Sequence, residues 1–483
     1  MSAQLHHEED HENDQDDVQL GDEDIVEVVE DSDDERMGDG DESDGDNDKY
    51  DGEIIIGGPG PGEEDMEMDG EGEMREDNSW GASALHASEK SIFTINLHPS
   101  FPNPPLAITG GEDDAGFLFC PIPSDPSSSS SSTFNSDNFP PTKLTGHSDS
   151  VVSTGWNFDG EMVATGGMDG KVRVWRRVKN GSRKGSPQQD LANEVENGQI
   201  QTIEDWKNWE FLTSLETGSE ITWLQWHPKG NVLAAGCEDA TVWMWNLPSG
   251  NTLTVLSSHT MSSTAGLFPP PLGRQLLTSS LDSSLILWDP RTSVPIWKSS
   301  VFTAANSPEL DPSEHGITSL AISPNGQIAS VGSSSGKVKL INLTNGSTLN
   351  TLVGHAENES IEALVFVDLL GGAANGGKGV VCVSGATDGK GFVWDVHTGR
   401  VRAELQHEEP ITSIAAHPAP FLHQVTTASA DSTLKTWDIR TGALLATHKG
   451  HVGVVNGVAV APVEGGQAIV SAGDEGVSLV WKL

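Results

Sequence analysis

Apolar and polar residues alternate in short stretches from about residue 81 to the end of the chain. The stretches are separated by turns that contain Asp and Gly, as at Asp169-Gly170. Alternation with a period of two predicts β-strands that are half-buried, and the turn residues predict tight connections between them. The pattern therefore predicts an all-β fold for this part of the chain.

One unit of this pattern occurs eight times. In each copy, an aromatic or apolar residue, most often Trp, follows the turn residue by six positions. The eight pairs are Asp113 and Phe119, Asp169 and Trp175, Asp239 and Trp245, Asp282 and Trp288, Ser335 and Ile341, Asp388 and Trp394, Asp431 and Trp437, and Glu475 and Trp481. Successive closing residues are 56, 70, 43, 53, 53, 43 and 44 positions apart. The three shortest intervals match the length of about 40–45 residues of a WD40 unit, whose four strands form one propeller blade.

Each unit also carries residues that can form a buried hydrogen-bond chain. Most units open with a His and have Thr or Ser four residues before the turn residue, where a hydroxyl can link His, Asp and Trp. Because buried polar groups must be paired, such a chain would hold a blade in one geometry. Repeat 3 has Thr217-Gly218-Ser219 in place of the opening His, and repeats 3 and 5 have Ala235 and Val331 in place of the hydroxyl. The predicted network residues are His147, Thr165, Asp169, Trp175, Asp282, Trp288, His355, Asp388, Trp394, His407, Asp431, Trp437, His451 and Trp481.

The repetition also decides how the His and Asp residues are interpreted. A single group of His, Asp and Ser or Thr could be a catalytic triad, but six or more copies at fixed spacing indicate a structural role. No other constellation of Cys, Ser or metal ligands is apparent, so we predict neither catalytic residues nor a cofactor, and the protein is not expected to be an enzyme.

The number of blades follows from the two ends of the repeat region. The chain ends at Leu483, just after Trp481 in the third strand of the last unit. The segment near residues 78–85 is predicted to supply the missing fourth strand, which would leave no open sheet edge between the first and last blades. Residues 78–483 are therefore predicted to form one eight-bladed propeller. A seven-bladed ring, with one weak repeat misassigned, is the alternative.

The first 77 residues differ sharply from the repeats. Residues 1–80 hold 33 Asp and Glu but only 3 Lys and Arg, so residues 1–77 are predicted to be a disordered acidic tail. Two apolar islands, Ile25-Val26-Glu27-Val28-Val29 and Ile54-Ile55-Ile56, interrupt the tail. They are either residual apolar residues in a solvated tail, or short docking segments for a partner or for the protein itself. Residues 177–207 are predicted to be an inserted loop, and the Ser-rich run 127–132 a flexible connector.

Composition excludes several classes of partner. The chain carries 72 acidic and 27 basic residues, a net charge of −45, so direct nucleic-acid binding is not expected. No apolar run approaches the roughly 20 residues of a membrane span. Three Cys residues without metal-ligand spacing suit a reducing compartment. We expect a monomer in the cytoplasm, and a nuclear location stays open.

Three sequence runs narrow the class of protein further. They are Ile108-Thr109-Gly110-Gly111-Glu112-Asp113-Asp114, the double-Trp stretch Trp223-Leu224-Gln225-Trp226-His227-Pro228 with Val242-Trp243-Met244-Trp245, and the first tail island. Together they resemble the angio-associated migratory cell protein family, from about residue 22 to 483. That family includes the fungal WD40 chaperone of one large-subunit ribosomal protein. The resemblance implies a role in ribosome biogenesis, in which a basic ribosomal protein is held by its N-terminal segment.

The charge pattern agrees with a basic client. WD40 rings bind partners across one face, at residues that flank the start of each first strand and directly precede each turn residue. Carboxylates dominate these positions and the adjacent loops, whereas Lys90 is the exception; a negative patch of this kind attracts a cationic partner. The predicted partner-binding residues are Glu112, Glu220, Glu238, Glu357, Glu359, Glu362, Glu408, Glu409 and Asp474.

Other interpretations stay open at this point. The carboxylates could simply be solvated, as surface acids often are. The protein could instead be a scaffold in signalling and cell migration, or the substrate receptor of a ubiquitin ligase, although no adaptor-docking motif is apparent outside the ring.

Overall fold

The computed structural model describes part of the chain. The described residues are 65–68, 74–124, 134–178, 203–302, 316–371 and 379–483. The predictions for the tail up to residue 64, for the Ser-rich run 127–132 and for the opening His of repeat 5, His315, lie outside them.

The fold consists of strands throughout. An N-terminal hairpin of β1 (Asp65–Met68) and β2 (Met74–Asp77) precedes β3 (Gly81–Ala84). The first four blades are formed by β4 (Ile92–Leu97), β5 (Ala107–Gly111), β6 (Gly116–Phe119) and β7 (Thr142–Leu144); β8 (Val151–Trp156), β9 (Met162–Gly167), β10 (Lys171–Arg177) and β11 (Trp209–Glu216); β12 (Ile221–Trp226), β13 (Val232–Cys237), β14 (Thr241–Asn246) and β15 (Asn251–Ser257); and β16 (Ser263–Leu267), β17 (Leu276–Ser280), β18 (Ser284–Asp289) and β19 (Val294–Ser300).

The second half of the chain repeats the same arrangement. Blades 5 to 8 are formed by β20 (Ile317–Ile322), β21 (Ile328–Ser333), β22 (Lys337–Asn342) and β23 (Thr348–Val353); β24 (Ile361–Asp368), β25 (Val380–Ala386), β26 (Lys390–Asp395) and β27 (Val401–Gln406); β28 (Ile411–Ala416), β29 (Gln424–Ser429), β30 (Leu434–Asp438) and β31 (Ala443–His448); and β32 (Val455–Val463), β33 (Gly466–Gly473) and β34 (Val477–Lys482) with β3. Within the described residues, the single helix is a three-residue 3-10 turn, Ile203–Asp205. No helix in the described part of the chain is therefore long or apolar enough to cross a membrane.

The eighth blade joins the two ends of the repeat region. β3 pairs antiparallel with β34, with Gly81 opposite Val480 and Ala84 opposite Val477. The first strand of every blade packs against the first strand of the next, and β32 packs against β4. The prediction of an eight-bladed propeller is confirmed, and the seven-bladed alternative is wrong.

The hydrophobic core lies between neighbouring blades. Every residue of the second strands β9 and β25 is buried, because both faces of each sheet are covered by adjacent blades. The outermost strands β15, β19, β23 and β31 are exposed at half or more of their positions instead, since one edge and part of each face are open to solvent. Five closing residues, Phe119, Trp245, Trp288, Trp394 and Trp481, are among the largest fully buried side chains.

The insertion in blade 2 is shorter than the predicted loop 177–207. Arg177 is the last residue of β10, and its guanidinium is buried and paired with Glu161. Trp206 is also buried, with the Arg177 guanidinium 4.1 Å from its ring centroid and the His98 ring 5.0 Å away. Both ends of the insertion therefore belong to the packed structure. The prediction could not recognise this, because the partner Glu161 lies 16 residues earlier in the chain and is not identifiable from local sequence.

Candidate partner-binding face

One backbone hydrogen bond defines the same end of every blade. In each blade, the residue directly before the turn residue donates its N–H to the carbonyl of the residue directly before the first strand. In blade 3, for example, Glu238 N–H donates to the Glu220 carbonyl over 3.0 Å. The equivalent bonds run from Glu112 to Ser91, Met168 to Ser150, Leu281 to Ser262, Ser334 to Gly316, Thr387 to Ser360, Ala430 to Pro410 and Asp474 to Val454. We call this end of the ring, with the loops that lead into the first strands, the top face.

A bulge adds one more residue per blade to the top face. In all eight blades the pairing of the first strand with the second skips the second residue of the first strand. A bulge releases that residue from the ladder and redirects its side chain. The residues are Phe93, Val152, Thr222, Thr264, Thr318, Glu362, Thr412 and Asn456. Glu362 is the one charged residue among the eight, and it is exposed.

All nine carboxylates named from the sequence lie on the top face. Glu112, Glu238 and Asp474 directly precede a turn residue, and Glu220 directly precedes a first strand. Glu362 occupies the bulge of blade 6. The remaining four, Glu357, Glu359, Glu408 and Glu409, lie in the loops that lead into the first strands of blades 6 and 7.

Three of the nine carboxylates already have partners within the protein. Glu112 accepts hydrogen bonds from the Lys90 ammonium over 3.0 Å and from Ser91 N–H over 3.3 Å. These donors hold the pKa of Glu112 below its usual range. Asp474 accepts a hydrogen bond from the Ser91 hydroxyl, and Glu359 accepts one from the Thr387 hydroxyl over 2.5 Å.

The other six carboxylates are exposed, and no ion pair is formed by them among the described residues. They fall into two sectors. Glu220 and Glu238 belong to blade 3, whereas Glu357, Glu362, Glu408 and Glu409 belong to blades 6 and 7. Glu112 in blade 1 and Asp474 in blade 8 thus already have donors within the protein, while these two sectors keep their charge available.

A cleft of about 440 Å³ opens between blades 2 and 3. Glu216, Glu220 and Glu238 line it together with Met168 and Lys171. With Asp169, four carboxylates against one ammonium give the cleft a negative balance, and Met168 adds apolar surface. A long cationic side chain could place its methylene groups against such a wall and its charge among the carboxylates.

Blade 3 also exposes a turn carboxylate, Asp239, that is not among the nine predicted partner-binding residues. In blades with an opening His, the imidazole binds the turn carboxylate, as for His147 and Asp169 at 3.0 Å or His407 and Asp431 at 2.8 Å. Repeat 3 has no such His, and Asp239 is exposed. One of its oxygens accepts hydrogen bonds from the Thr241 N–H and hydroxyl, over 3.0 and 2.6 Å. The missing His was the signal that could have identified Asp239 as a surface carboxylate.

The predicted hydrogen-bond chain is present in full in blades 6 and 7. In blade 6, His355 contacts Asp388 at 3.1 Å and Ser384 at 2.7 Å, and Trp394 donates to Ser384 over 2.8 Å. In blade 7, Thr427 lies 2.7 Å from His407 and 2.9 Å from the Trp437 indole nitrogen.

Blades 2, 4 and 8 vary the scheme. His147 contacts Thr165 at 2.7 Å, while the Trp175 ring packs edge-on against Phe211, with the centroids 5.9 Å apart. In blade 4, Asp282 lies 3.7 Å from His259, which contacts the Ser284 hydroxyl at 2.7 Å, and Trp288 donates to Thr278 over 2.8 Å. In blade 8, His451 binds Ser471 at 2.5 Å and also Glu475, but Trp481 donates to Asn78 over 3.0 Å.

Asp431 and Asp282 stay ionised in these networks. Burial alone would raise the pKa of Asp431, but hydrogen bonds from His407 and Thr433 outweigh it and hold the pKa well below the usual range. Asp282 follows the same balance: its carboxylate lies near His259 and accepts hydrogen bonds from the N–H groups of Ser284 and Thr260. Across the described residues, no group of three or more His, Cys, Asp or Glu side chains is arranged to hold a metal ion.

Comparison with known proteins identifies the class. The family model "WD domain, G-beta repeat" matches residues 139–176, 307–342 and 399–438, and the model of the anaphase-promoting complex subunit 4 WD40 domain matches residues 186–268. Human angio-associated migratory cell protein is 27% identical over 78% of this chain and 74% of its own length. The ribosome assembly protein SQT1 of Saccharomyces cerevisiae is 26% identical over 81% of this chain and 84% of its own length.

Solved structures agree on the fold. The crystal structure of Chaetomium thermophilum Sqt1 bound to the N-terminus of the ribosomal protein L10 matches with a TM-score of 0.63 and 24% identity, over 82% of this chain and 98% of that one. Together with the eight blades, the family-model matches show that the chain contains WD40 repeats arranged as a propeller. It is homologous to angio-associated migratory cell protein and to the ribosome assembly protein Sqt1.

Proposed function

We propose that this protein is a non-enzymatic chaperone that captures the basic N-terminal segment of a large-subunit ribosomal protein on its top face and thereby supports ribosome assembly. The observation that carries the proposal is the set of exposed carboxylates in blade 3 and in blades 6 and 7 that form no ion pair with any residue the structure describes. Its homologue Sqt1 supports the choice of client, since one solved Sqt1 holds the N-terminus of ribosomal protein L10.

The chemistry of the face suits a segment rich in Arg and Lys. Carboxylates such as Glu238 and Glu362 can accept charge-assisted hydrogen bonds, which are shorter and stronger than neutral ones. A patch of one sign also accelerates the encounter with a partner of the opposite sign. Asp239 and the cleft beside Glu220 would add a site for one cationic side chain on blade 3.

The acidic N-terminal segment fits the same function. Residues 1–80 carry a net charge of −30, from 33 acidic and 3 basic residues. A polyanion tethered beside the ring raises the local concentration of negative charge and competes with RNA for a basic client. We propose a monomer that acts in the cytoplasm, and in the nucleus as well if the client is carried there, without binding nucleic acid itself.

A binding titration tests the proposal. The probe is a labelled peptide with the N-terminal segment of ribosomal protein L10, and the readout is fluorescence anisotropy at low and high salt. We expect tight one-to-one binding that weakens as salt is added. The double variant Glu238→Lys with Glu362→Lys should lower the affinity by about tenfold or more, because each change replaces a charge-assisted pair with repulsion.

The matched control is Glu464→Lys. Glu464 is exposed in the turn between β32 and β33, at the opposite end of the blade, and its replacement changes the net charge in the same way. Equal losses in the control and in a single top-face variant would show that only the overall charge matters and would contradict a top-face site.

A pull-down from cell extract decides between this function and the alternative of a signalling scaffold. If the wild type and the double variant recover the same partners and none is ribosomal, the top-face carboxylates are solvated surface groups. The scaffold would then be the better account.

A further inference from the structure

The outermost strand of blade 7, β31, has an open edge with exposed apolar residues. Leu444 and Leu445 are 48% and 47% exposed. One edge of β31 pairs with β30, where Leu434 lies opposite His448 and Thr436 opposite Ala446. The other edge has no neighbouring strand among the described residues. An unpaired edge of this kind is a template for a further strand.

The N-terminal segment already occupies one end of this edge. The Asn78 side-chain amide donates to the Thr447 carbonyl over 2.9 Å, and the Asn78 N–H donates to the Lys449 carbonyl over 3.2 Å. In return, Lys449 N–H donates to the Asn78 side-chain oxygen over 2.9 Å. The ammonium of Lys449 also pairs with Glu76. The chain before β3 is therefore anchored where β31 ends.

The hairpin before Asn78 returns the upstream chain to this anchor. In the register of β1 with β2, Asp65 lies opposite Asp77. The residues that precede Asp65 therefore start beside Asp77 and Asn78, at the end of β31. Other blades also expose apolar residues on their outer strands, but β31 is the strand that the N-terminal segment contacts.

The length of the connection suits one segment of the tail. Eight residues, 57–64, separate Ile56 from Asp65, and they can span at most about 28 Å. The six residues of β31 cover about 20 Å. Ile54-Ile55-Ile56 can therefore reach any point on this edge. Three consecutive β-branched residues favour an extended strand, and they can cover Leu444 and Leu445.

We propose that Ile54-Ile55-Ile56 binds the open edge of β31 as an added strand. This goes beyond the chaperone function and does not depend on it. The bound segment would close the edge of blade 7 against aggregation. It would also hold the acidic residues around it beside blades 7 and 8, next to the sector that contains Glu408 and Glu409.

Disulfide trapping in the full chain tests the proposal. The three native cysteines, Cys120, Cys237 and Cys382, are buried, so two introduced cysteines can be followed without a background. The test pair is Ile55→Cys with Leu445→Cys. The control pair is Ile55→Cys with Leu349→Cys, since Leu349 is 51% exposed on β23, the outer strand of blade 5. Cross-linking is read as a mobility shift on a non-reducing gel after mild oxidation.

We expect the test pair to cross-link at least tenfold faster than the control pair. Replacing Ile54 and Ile56 with Ser in the test pair should remove most of this difference. Equal rates for the two pairs, or no cross-link in the test pair, would overturn the proposal. Hydrogen exchange gives an independent reading: amides of β31 should exchange faster in the triple variant Ile54→Ser, Ile55→Ser, Ile56→Ser, and unchanged exchange rates along the whole of β31 would also overturn the proposal.

Discussion

The indole nitrogen of Trp481 donates a 3.0 Å hydrogen bond to the side-chain oxygen of Asn78, a residue 403 positions earlier in the chain. In blades 4, 6 and 7, the equivalent Trp donates to a Thr or Ser hydroxyl of its own sheet. The last blade therefore uses a group from the N-terminal segment. Asn78 completes the hydrogen bonding of the last Trp at the same place where β3 completes the sheet.

Replacing Asn78 with Ala should destabilise the ring by about 1–3 kcal/mol, because the Lys449 N–H loses its acceptor and the buried indole N–H keeps only the longer, 3.4 Å contact with the Lys449 carbonyl. Urea unfolding measures the change. Asn251→Ala is the control, since Asn251 is exposed on an outer strand. In a double-mutant cycle with Trp481→Phe, the two changes should be non-additive; additive losses would show that the bond does not stabilise the closure.

Replacing a turn carboxylate should affect the stability of the ring strongly in some blades and weakly in blade 3. Asp431 binds His407, Thr433 and the Glu408 N–H, so Asp431→Asn should cost about 1–3 kcal/mol of stability. Asp239 is exposed and has no opening His, so Asp239→Asn should change stability by less than about 0.5 kcal/mol. The same variant should weaken binding of the L10 peptide. Thermal unfolding of the two variants and anisotropy with the L10 peptide measure these effects. Equal loss of stability in the two variants would contradict a network role for Asp431 and a surface role for Asp239.

The repeat spacing was enough to predict the number of blades, because each closing residue is fixed relative to its turn residue. The pairing of β3 with the last blade followed from the missing fourth strand after Trp481. Partners that come from distant parts of the chain could not be predicted in this way. The pairing of Arg177 with Glu161 and of Trp481 with Asn78 depends on how separate segments meet.

The candidate site was predictable in its location but not in its electrostatics. The register of the repeats placed all nine carboxylates on one face. It could not show that Glu112 is neutralised by Lys90, since that pairing depends on side-chain geometry. Asp239 was missed for a related reason, because its exposure results from a residue that repeat 3 lacks.

In the proposed function, Lys90 weakens the binding of a cationic client to the top face. Lys90→Ala would release Glu112 and remove a positive charge from the edge of the face, so the L10 peptide should bind about two- to fivefold more tightly, about 0.4–1 kcal/mol. The gain should vanish in high salt. Lys229→Ala, at an exposed position outside the top face, is the control for net charge. Similar gains in the two variants would contradict a specific role for Lys90.

Trp223 fills the space between two glycines of blades 3 and 4. A Cβ added to Gly266 would lie 2.0 Å from the far edge of the Trp223 ring, and the indole nitrogen donates to the Ser263 hydroxyl over 3.0 Å. Gly266→Ala should therefore cost about 1–3 kcal/mol through overpacking. Adding Trp223→Leu should recover part of the loss in urea unfolding. A double variant as unstable as the sum of the two single variants would show that this clash is not the cause.

Three buried histidines should make the ring sensitive to acid. Burial lowers the pKa of His98, His417 and His448 to about 4 in each case. An unfolded chain binds these protons near pH 6.5, so the stability that the neutral rings provide is present above that value and is lost as the pH falls towards 4. At pH 5.5, each residue should contribute roughly 0.9 proton taken up on unfolding.

Removing one of these groups tests the argument. His98 lies against Trp156 and Trp206, with ring centroids 4.8 and 5.0 Å away. His98→Asn should reduce the proton uptake at pH 5.5 by nearly one, whatever its cost in stability at pH 8, because the variant has no imidazole to protonate there. The slope of the unfolding free energy against pH, measured between pH 5 and 8, gives the number of protons taken up on unfolding. His397→Asn, at an exposed turn, is the control, and an unchanged slope in His98→Asn would show that this imidazole does not cause the acid sensitivity.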